Sequence, residues 1–259
     1  RRRSPRVTAA AARLRELVAA GHEISNHTLS HMNDLARRNT AVMVAEVAGG
    51  RAAIEDAVGA PAVGFRAPGY TLGRALVDVL ADQRVAYDSS VLPSPAYFLA
   101  RAGAILLKSL RGRRSRSLPG GLEMGLAPRH PYRLGRPFFL AARGSGGGAG
   151  EPAGVPELPI AVLPGLRIPF IGTTLVLAGP RRAAWMCRLI ERQPFVNLEL
   201  HGIDLCGPDD PGVGDLRGHQ PDASIPVFAK TATLDAVISR FRSKGARFAT
   251  LREAAAVLF

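Results

Sequence analysis

Three of the chain's six histidines fall within ten residues, in the stretch GHEISNHTLSHMNDLA from Gly21 to Ala36. His27 and His31 are four apart. On a helical turn that spacing puts two imidazoles on one face, close enough to share a metal ion. It describes an N-terminal cap followed by a surface residue equally well. Two histidines are also fewer than the three protein ligands a catalytic zinc usually takes. A second stretch, GFRAPGY, holds Arg66, Pro68 and Gly69. An arginine at a strand end can orient a carboxylate. Pro68 fixes the chain there, and Gly69 permits a close backbone approach whose N–H can face a developing oxyanion. The plainer reading is a turn with a surface arginine. The third stretch, NLELHGID, ends an apolar run at His201, with Asp204 three residues on. That carboxylate either orients the imidazole for general-acid work or caps the loop.

Residues of this kind need a scaffold that delivers them to one place. Helical periodicity is expected over Val7 to Ala20, Thr40 to Val58 (weakened by Gly49 and Gly50), Leu72 to Asp82, Tyr97 to Leu110, Arg181 to Glu191 and Ala232 to Lys244, with a last helix at the C-terminal end. Strand character is read in HEISN, AVGFRAP, VAYDSS, VPELPIAVL, PFVNLELHG and RFATL. Strands alternating with helices predict parallel βα units, in an open sheet or a barrel. The three chemical stretches each follow an apolar strand directly, which suits the mouth of a barrel. No GxGxxG or GxxxxGK[ST] motif occurs, so nothing favours a nucleotide site. Between Ser94 and Gly154 the pattern changes. This region reads as an insert with a flexible GSGGGAG loop at Gly144 to Gly150.

At 259 residues with 47% hydrophobic composition, the chain can bury one large core. The formal net charge is +13, and 31 of the 34 basic residues are arginine. These arginines are scattered apart from RRRSPR and RGRRSRS. Without an RNA-binding signature, zinc-finger spacing or aromatic interleaving, no nucleic-acid partner is expected. A basic surface that meets anionic lipid or polysaccharide is the alternative to plain solvation. The helix from Tyr97 to Leu110 runs into Arg111, Arg113, Arg114 and Arg116. That is the pattern of an interfacial helix in peripheral membrane contact, and also of a core-covering helix with a solvated basic end. Cys187 and Cys206 form no CxxC pair and read as core thiols. The apolar runs are shorter than a membrane span.

Taken together and in order, the three stretches resemble the NodB-type polysaccharide deacetylases, carbohydrate esterase family 4. The family's H-[ST]-x-x-H motif is matched by His27, Thr28, Leu29, Ser30 and His31. Its R-x-P motif is matched by Arg66, Ala67, Pro68, Gly69 and Tyr70, and its L-x-L-H motif by Leu198, Glu199, Leu200 and His201. YDSSVLPSP and VPELPIAVLPGLRIPF further resemble the branch acting on envelope polysaccharides.

The resemblance implies a distorted (β/α)7 barrel in a single domain spanning residues 1–259. It implies a divalent ion, usually zinc, held by His27, His31 and an Asp. The reaction would be metal-dependent hydrolysis of the N-acetyl group of an amino sugar. Arg66 would steer an Asp base, the N–H of Gly69 would help bind the oxyanion, and His201 would protonate the leaving amine. Leu198 and Leu200 would line the acetyl pocket, with Tyr70 at the substrate. The expected partner is an N-acetylated polysaccharide or oligosaccharide, free or lipid-linked, at the cell envelope or the cytoplasmic face of the membrane.

Two motifs of the family are missing. The T-F-D-D-like strand that supplies the Asp ligand and the base would lie before the first helix, yet no Asp occurs before Asp34. The D-W motif is also unrecognisable, since the only Trp is Trp185, in a helix. The expectation is therefore an N-terminally incomplete deacetylase, nearly inactive as it stands. A relative that binds glycan without hydrolysing it is the alternative. Asp34, Asp88, Asp204 and Asp209 are the candidates to lend a carboxylate.

Overall fold

A computed structural model describes residues 5–110, 122–135, 137, 140, 154–216, 218 and 220–259. Contacts divide the chain into two units. One comprises residues 1–91, 98–159 and 249–259, and the other residues 92–97 and 160–248. The GSGGGAG loop and the RGRRSRS cluster lie outside the described residues.

The first unit is mixed α/β. Helix α1 (Pro5–Ala19) packs on α2 (Thr40–Val58), and α2 packs on α3 (Arg74–Asp82). Asn39 caps α2 by accepting the Val42 N–H, and the left-handed Gly59 ends it. Four short strands make one sheet in the order β1 (Gly64–Phe65), β2 (Tyr87–Asp88), β4 (Pro156–Glu157), β3 (Tyr132–Arg133). β1, β2 and β4 are parallel and β3 is antiparallel. Asn26 adds a parallel bridge to Phe65 at the β1 edge. Helices α4 (Pro95–Leu110) and α5 (Leu122–Gly125) and strand β3 show that the 94–154 insert has ordered parts. α8 (Leu251–Leu258) closes the unit against β2 under a Thr250 cap.

The second unit is built on α6 (Gly172–Ile190) packed along α7 (Val227–Ser243). Phe170 and Phe241 meet edge to face at 6.1 Å within its buried cluster, which includes Cys187. α6 is broken at Gly179 (φ 75°), and Pro180 starts its second half. The periodicity over Arg181 to Glu191 therefore captured only that half. Cys206 is half-buried and, like Cys187, is a free thiol.

The strands are shorter than expected. HEISN contributes one bridge at Asn26, and PFVNLELHG one parallel bridge, Ile171 to Glu199. RFATL forms no ladder. Their backbones bond instead to single partners, such as Ala161 N–H to Asn197 O and Gly172 N–H to Glu199 O. Apolar alternation marked AVGFRAP and VPELPIAVL as buried, but RFATL is largely exposed, with Phe248 at 56%, and HEISN buries only Asn26, so a short apolar pattern guarantees neither burial nor a continuous ladder.

Candidate functional site

Strand register explains how the first unit gathers its motif residues. Asn26, Phe65, Asp88, Glu157 and Tyr132 are successive neighbours across the sheet. All five are buried. One residue further along each parallel segment stand His27, Arg66, Ser89 and Leu158. A continuous hydrogen-bonded chain joins these four. His27 Nδ1 lies 2.6 Å from the Arg66 carbonyl oxygen. Arg66 donates from Nε to the Ser89 carbonyl (2.8 Å) and from Nη2 to Ser89 Oγ (2.7 Å). Ser89 Oγ donates to the Leu158 carbonyl (2.9 Å). Polar groups at the carboxyl ends of parallel strands are where open and closed α/β sheets place their chemistry.

His27 and His31 are brought together, with ring centroids 4.9 Å apart and planes at 74°. The means differs from the helical turn expected. The segment is a loop, and Thr28 (φ 69°) and His31 (φ 57°) both occupy the left-handed region. Neither is a glycine, so this backbone is strained and held by its surroundings. Asn26 Oδ1 accepts the Thr28 N–H, and Thr28 Oγ1 accepts the His31 N–H, each at 3.0 Å. Glu46 on α2 takes Ser30 N–H at 2.9 Å and Ser30 Oγ at 2.8 Å, while its own carbonyl takes Leu29 N–H. Asn26 Nδ2 donates to the Val47 carbonyl. Gly49 and Gly50, which read as a weakness of the helix, are what lets the loop lie so close. A Cβ on Gly50 would collide with Asn26 Oδ1 and come within 2.8 Å of the Thr28 carbonyl carbon.

The Arg66 turn continues through a 3₁₀ turn at Pro68–Tyr70 in which Gly69 (φ 66°) is left-handed. Arg101 Nη1 on α4 donates to the Gly69 carbonyl at 3.1 Å. Ala67 N–H is held by Ser90 Oγ at 2.8 Å. Tyr70 is buried, with φ 57°, and so sits in the packing of the turn. The guanidinium of Arg66 rests on Ser89, and its charge favours ionisation of the buried Glu157 carboxyl, against the larger effect of burial.

His201, Leu198 and Leu200 lie in the second unit. The imidazole is exposed, and its Nδ1 lies 3.0 Å from Glu199 Oε1, a buried carboxyl two residues earlier. Asp204, the carboxylate first considered for His201, serves the backbone instead. Its Oδ2 accepts the His201 N–H at 2.7 Å, so it caps the Gly202–Leu205 turn. Burial raises the Asp204 pKa, and the His201 amide opposes that rise. Gly172 makes room for this carboxylate, because a Cβ there would collide with Asp204 Oδ2. Leu198 packs on the Phe170 cluster, while Leu200 is 40% exposed. Glu199 was legible only as the variable position of L-x-L-H. Apolar alternation would have put Leu198 and Leu200 inside and Glu199 outside, whereas Glu199 is buried and Leu200 is exposed.

The other candidate carboxylates have separate tasks. Asp34 pairs with Arg38 at 2.6 Å. Asp88 is completely buried and Asp209 sits exposed in a turn. The donor set bears directly on a metal. With Nδ1 engaged by Arg66 O, Nε2 is the His27 nitrogen that would face a metal, and the adjacent His31 ring would complete a pair of nitrogen donors suited to zinc. Among the described residues no cluster of three His, Cys, Asp or Glu could hold a metal ion. The fit is thus to two ligands of a site.

Residues 4–87 match the family model for polysaccharide deacetylase. A crystal structure of a polysaccharide deacetylase from Mycobacterium smegmatis has a similar fold, with a TM-score of 0.51 and 16% identity. The similarity covers 96% of this chain and 66% of that one, so the chain spans less than two thirds of that protein's length. A crystal structure of a mutant CE4 family pseudoenzyme with restored enzymatic activity also overlaps, with a TM-score of 0.30 and 15% identity over 46% of this chain and 45% of that one. No curated protein matches the chain.

Proposed function

We propose, from the match of residues 4–87 to the polysaccharide deacetylase family model, that the chain acts on the N-acetyl group of an amino sugar in an envelope or cell-surface polysaccharide. The observation that carries this reading is the chain of contacts at the strand ends. It sets a histidine pair beside the Arg66–Gly69 turn, within the residues that match the family.

The roles follow from the chemistry of each group. His27 and His31 would hold a divalent ion, most simply zinc, which would polarise the acetyl carbonyl and acidify a bound water. The Arg66 carbonyl fixes the tautomer and orientation of His27. The left-handed turn at Gly69 can turn a backbone N–H towards an oxyanion. His201 is the proton donor to the leaving amine, with the Glu199 carboxyl orienting its ring. Leu200 offers an exposed apolar side chain to the acetyl methyl, beside Leu198. The substrate is free or lipid-linked, and the site of action is the envelope or the cytoplasmic face of the membrane.

A second reading has its own support. The described residues supply two metal ligands beside each other and no third, which favours a protein that binds acetylated glycan with little or no turnover. Acetate release and glycan binding, measured together with zinc on chitooligosaccharide and on N-acetylated envelope glycans, separate the two readings. Release above the uncatalysed level supports the hydrolase. Saturable binding without release supports the glycan binder, and neither result on any glycan refutes both.

A further inference from the structure

Beneath the row of His27, Arg66 and Ser89 lies a pair of acids that the site chemistry leaves unused. Asp88 on β2 and Glu157 on β4 are register partners, both have 0% exposure, and each keeps one buried oxygen, Asp88 Oδ2 and Glu157 Oε2, that no hydrogen-bond donor reaches. Ionised carboxylates are acceptors only, so a proton on one of the two supplies the donor that this neighbouring pair otherwise lacks. Two adjacent charges without solvent would also be prohibitively costly.

The pair is wired to the turn above it. Ser90 Oγ donates to Asp88 Oδ1 at 2.6 Å, and Ala67 N–H donates to the same Ser90 Oγ at 2.8 Å. Glu157 Oε1 accepts the Val91 N–H at 3.0 Å. The backbone between Arg66 and Pro68 is therefore tied through Ser90 to Asp88, and the chain after β2 is tied to Glu157. We propose that Asp88 and Glu157 share a single proton and act together as positioning residues, locking the Arg66–Gly69 turn onto the sheet for as long as that proton is held. The functional consequence rests on the reading of the turn as part of the deacetylase site, whereas the lock itself does not.

The charged surroundings give the sign. Burial raises the Glu157 pKa well above its ordinary value, and the charge of Asp88 raises it further. Asp88 is also raised by burial, while the neighbouring Glu157 carboxyl and the hydrogen bonds from Ser90 oppose the shift. Arg66 faces the pair from β1 and favours ionisation. Tyr132 faces it from β3, and its hydroxyl is itself pushed up by burial and by both carboxyls. The charged residues of α8, which packs on β2, are engaged elsewhere. Arg252 bonds Glu23 and the Pro61 carbonyl, and Glu253 completes the Thr250 cap. The folded state thus holds a proton that the unfolded chain releases near the ordinary Glu value of 4.5. Stability from this proton is full below that value and is lost as pH rises towards the raised one.

The test compares the wild-type chain with Glu157→Gln, whose amide keeps the shape and the donor without titrating. Folding constants are measured by denaturant unfolding across pH, together with protection of the Ala67 amide against hydrogen exchange. The wild type should lose up to about tenfold in folding constant per pH unit more than the variant through the titration window, the slope of one proton. Ala67 protection should fall with it, and should persist in the variant. Parallel slopes and parallel protection would overturn the lock. Should the variant fail to fold, infrared spectra of the wild type decide. An un-ionised carboxylic acid band that persists as pH rises above the ordinary carboxyl range, and that resists exchange, supports the shared proton, and its absence there overturns it. Neither readout involves deacetylation, so the failure of either proposal is distinguishable from the failure of the other.

Discussion

His27 and His31 are the residues on which the proposed chemistry turns, and their geometry makes a specific demand. With rings 4.9 Å apart, two nitrogens can approach one ion with bonds near ~2.1 Å. Calorimetric titration of zinc into the wild-type chain should show one site of modest affinity, since ligand number sets strength. His27→Ala and His31→Ala should each weaken it by about tenfold or more, with the unfolding midpoint unchanged in the absence of zinc. Unaltered binding in both variants would remove the pair from the metal chemistry. At this scale much of the site was legible. Residue type and spacing singled out His27, His31, Arg66 and His201. What spacing could not convey is who holds them. Ser89 under Arg66 and Glu199 beside His201 lie within YDSSVLPSP and L-x-L-H, but their contacts come from the tertiary fold and cannot be read from those stretches.

Among the elements, α2 and the loop it supports show why local patterning only partly predicts a site. Periodicity gave the bounds of α2, Thr40 to Val58, in full agreement with the structure. The same periodic reasoning placed His27 and His31 on a helical turn, where the chain is a loop with two non-glycine residues at positive φ. That loop is stable because Glu46 and Asn26 satisfy its amides and because Gly50 yields the space. Gly50→Ala should therefore destabilise the fold by about 1–3 kcal/mol, as overpacking does, even though alanine is the better helix former. Denaturant unfolding provides the measurement. A neutral or stabilising effect would mean that the loop does not rest on α2 as described.

For the molecule as a whole, the net charge of +13 and the pattern of α4 bear on where the protein works. Leu99, Leu106 and Leu110 are all exposed and fall on one face of α4, and the Arg111–Arg116 cluster follows directly in the sequence. Among the described residues no helix is long and apolar enough to cross a membrane. An interfacial role for α4 predicts flotation with anionic liposomes, weaker with neutral ones and reduced by added salt. Leu106→Glu should abolish it. Equal binding to both lipids, or none, would assign the stripe to another purpose. The alternation of strands and helices made the α/β class and its parallel strands readable in advance, and the fold similarity agrees with the deacetylase type. The division into two units was not readable, because it depends on which segments touch rather than on any local signal.

The claim that the histidine pair and His201 serve amide hydrolysis meets its most direct test in zinc-dependent acetate release from N-acetylated oligosaccharides. The wild-type chain should release acetate slowly and only with zinc, because among the described residues two ligands stand together without a third. His27→Ala/His31→Ala should abolish that release, and His201→Ala should lower it by about 10²–10⁴-fold, the range expected for a lost general acid, while folding and glycan binding persist. Release that continues undiminished in the double histidine variant, or that is indifferent to zinc, would contradict the assignment.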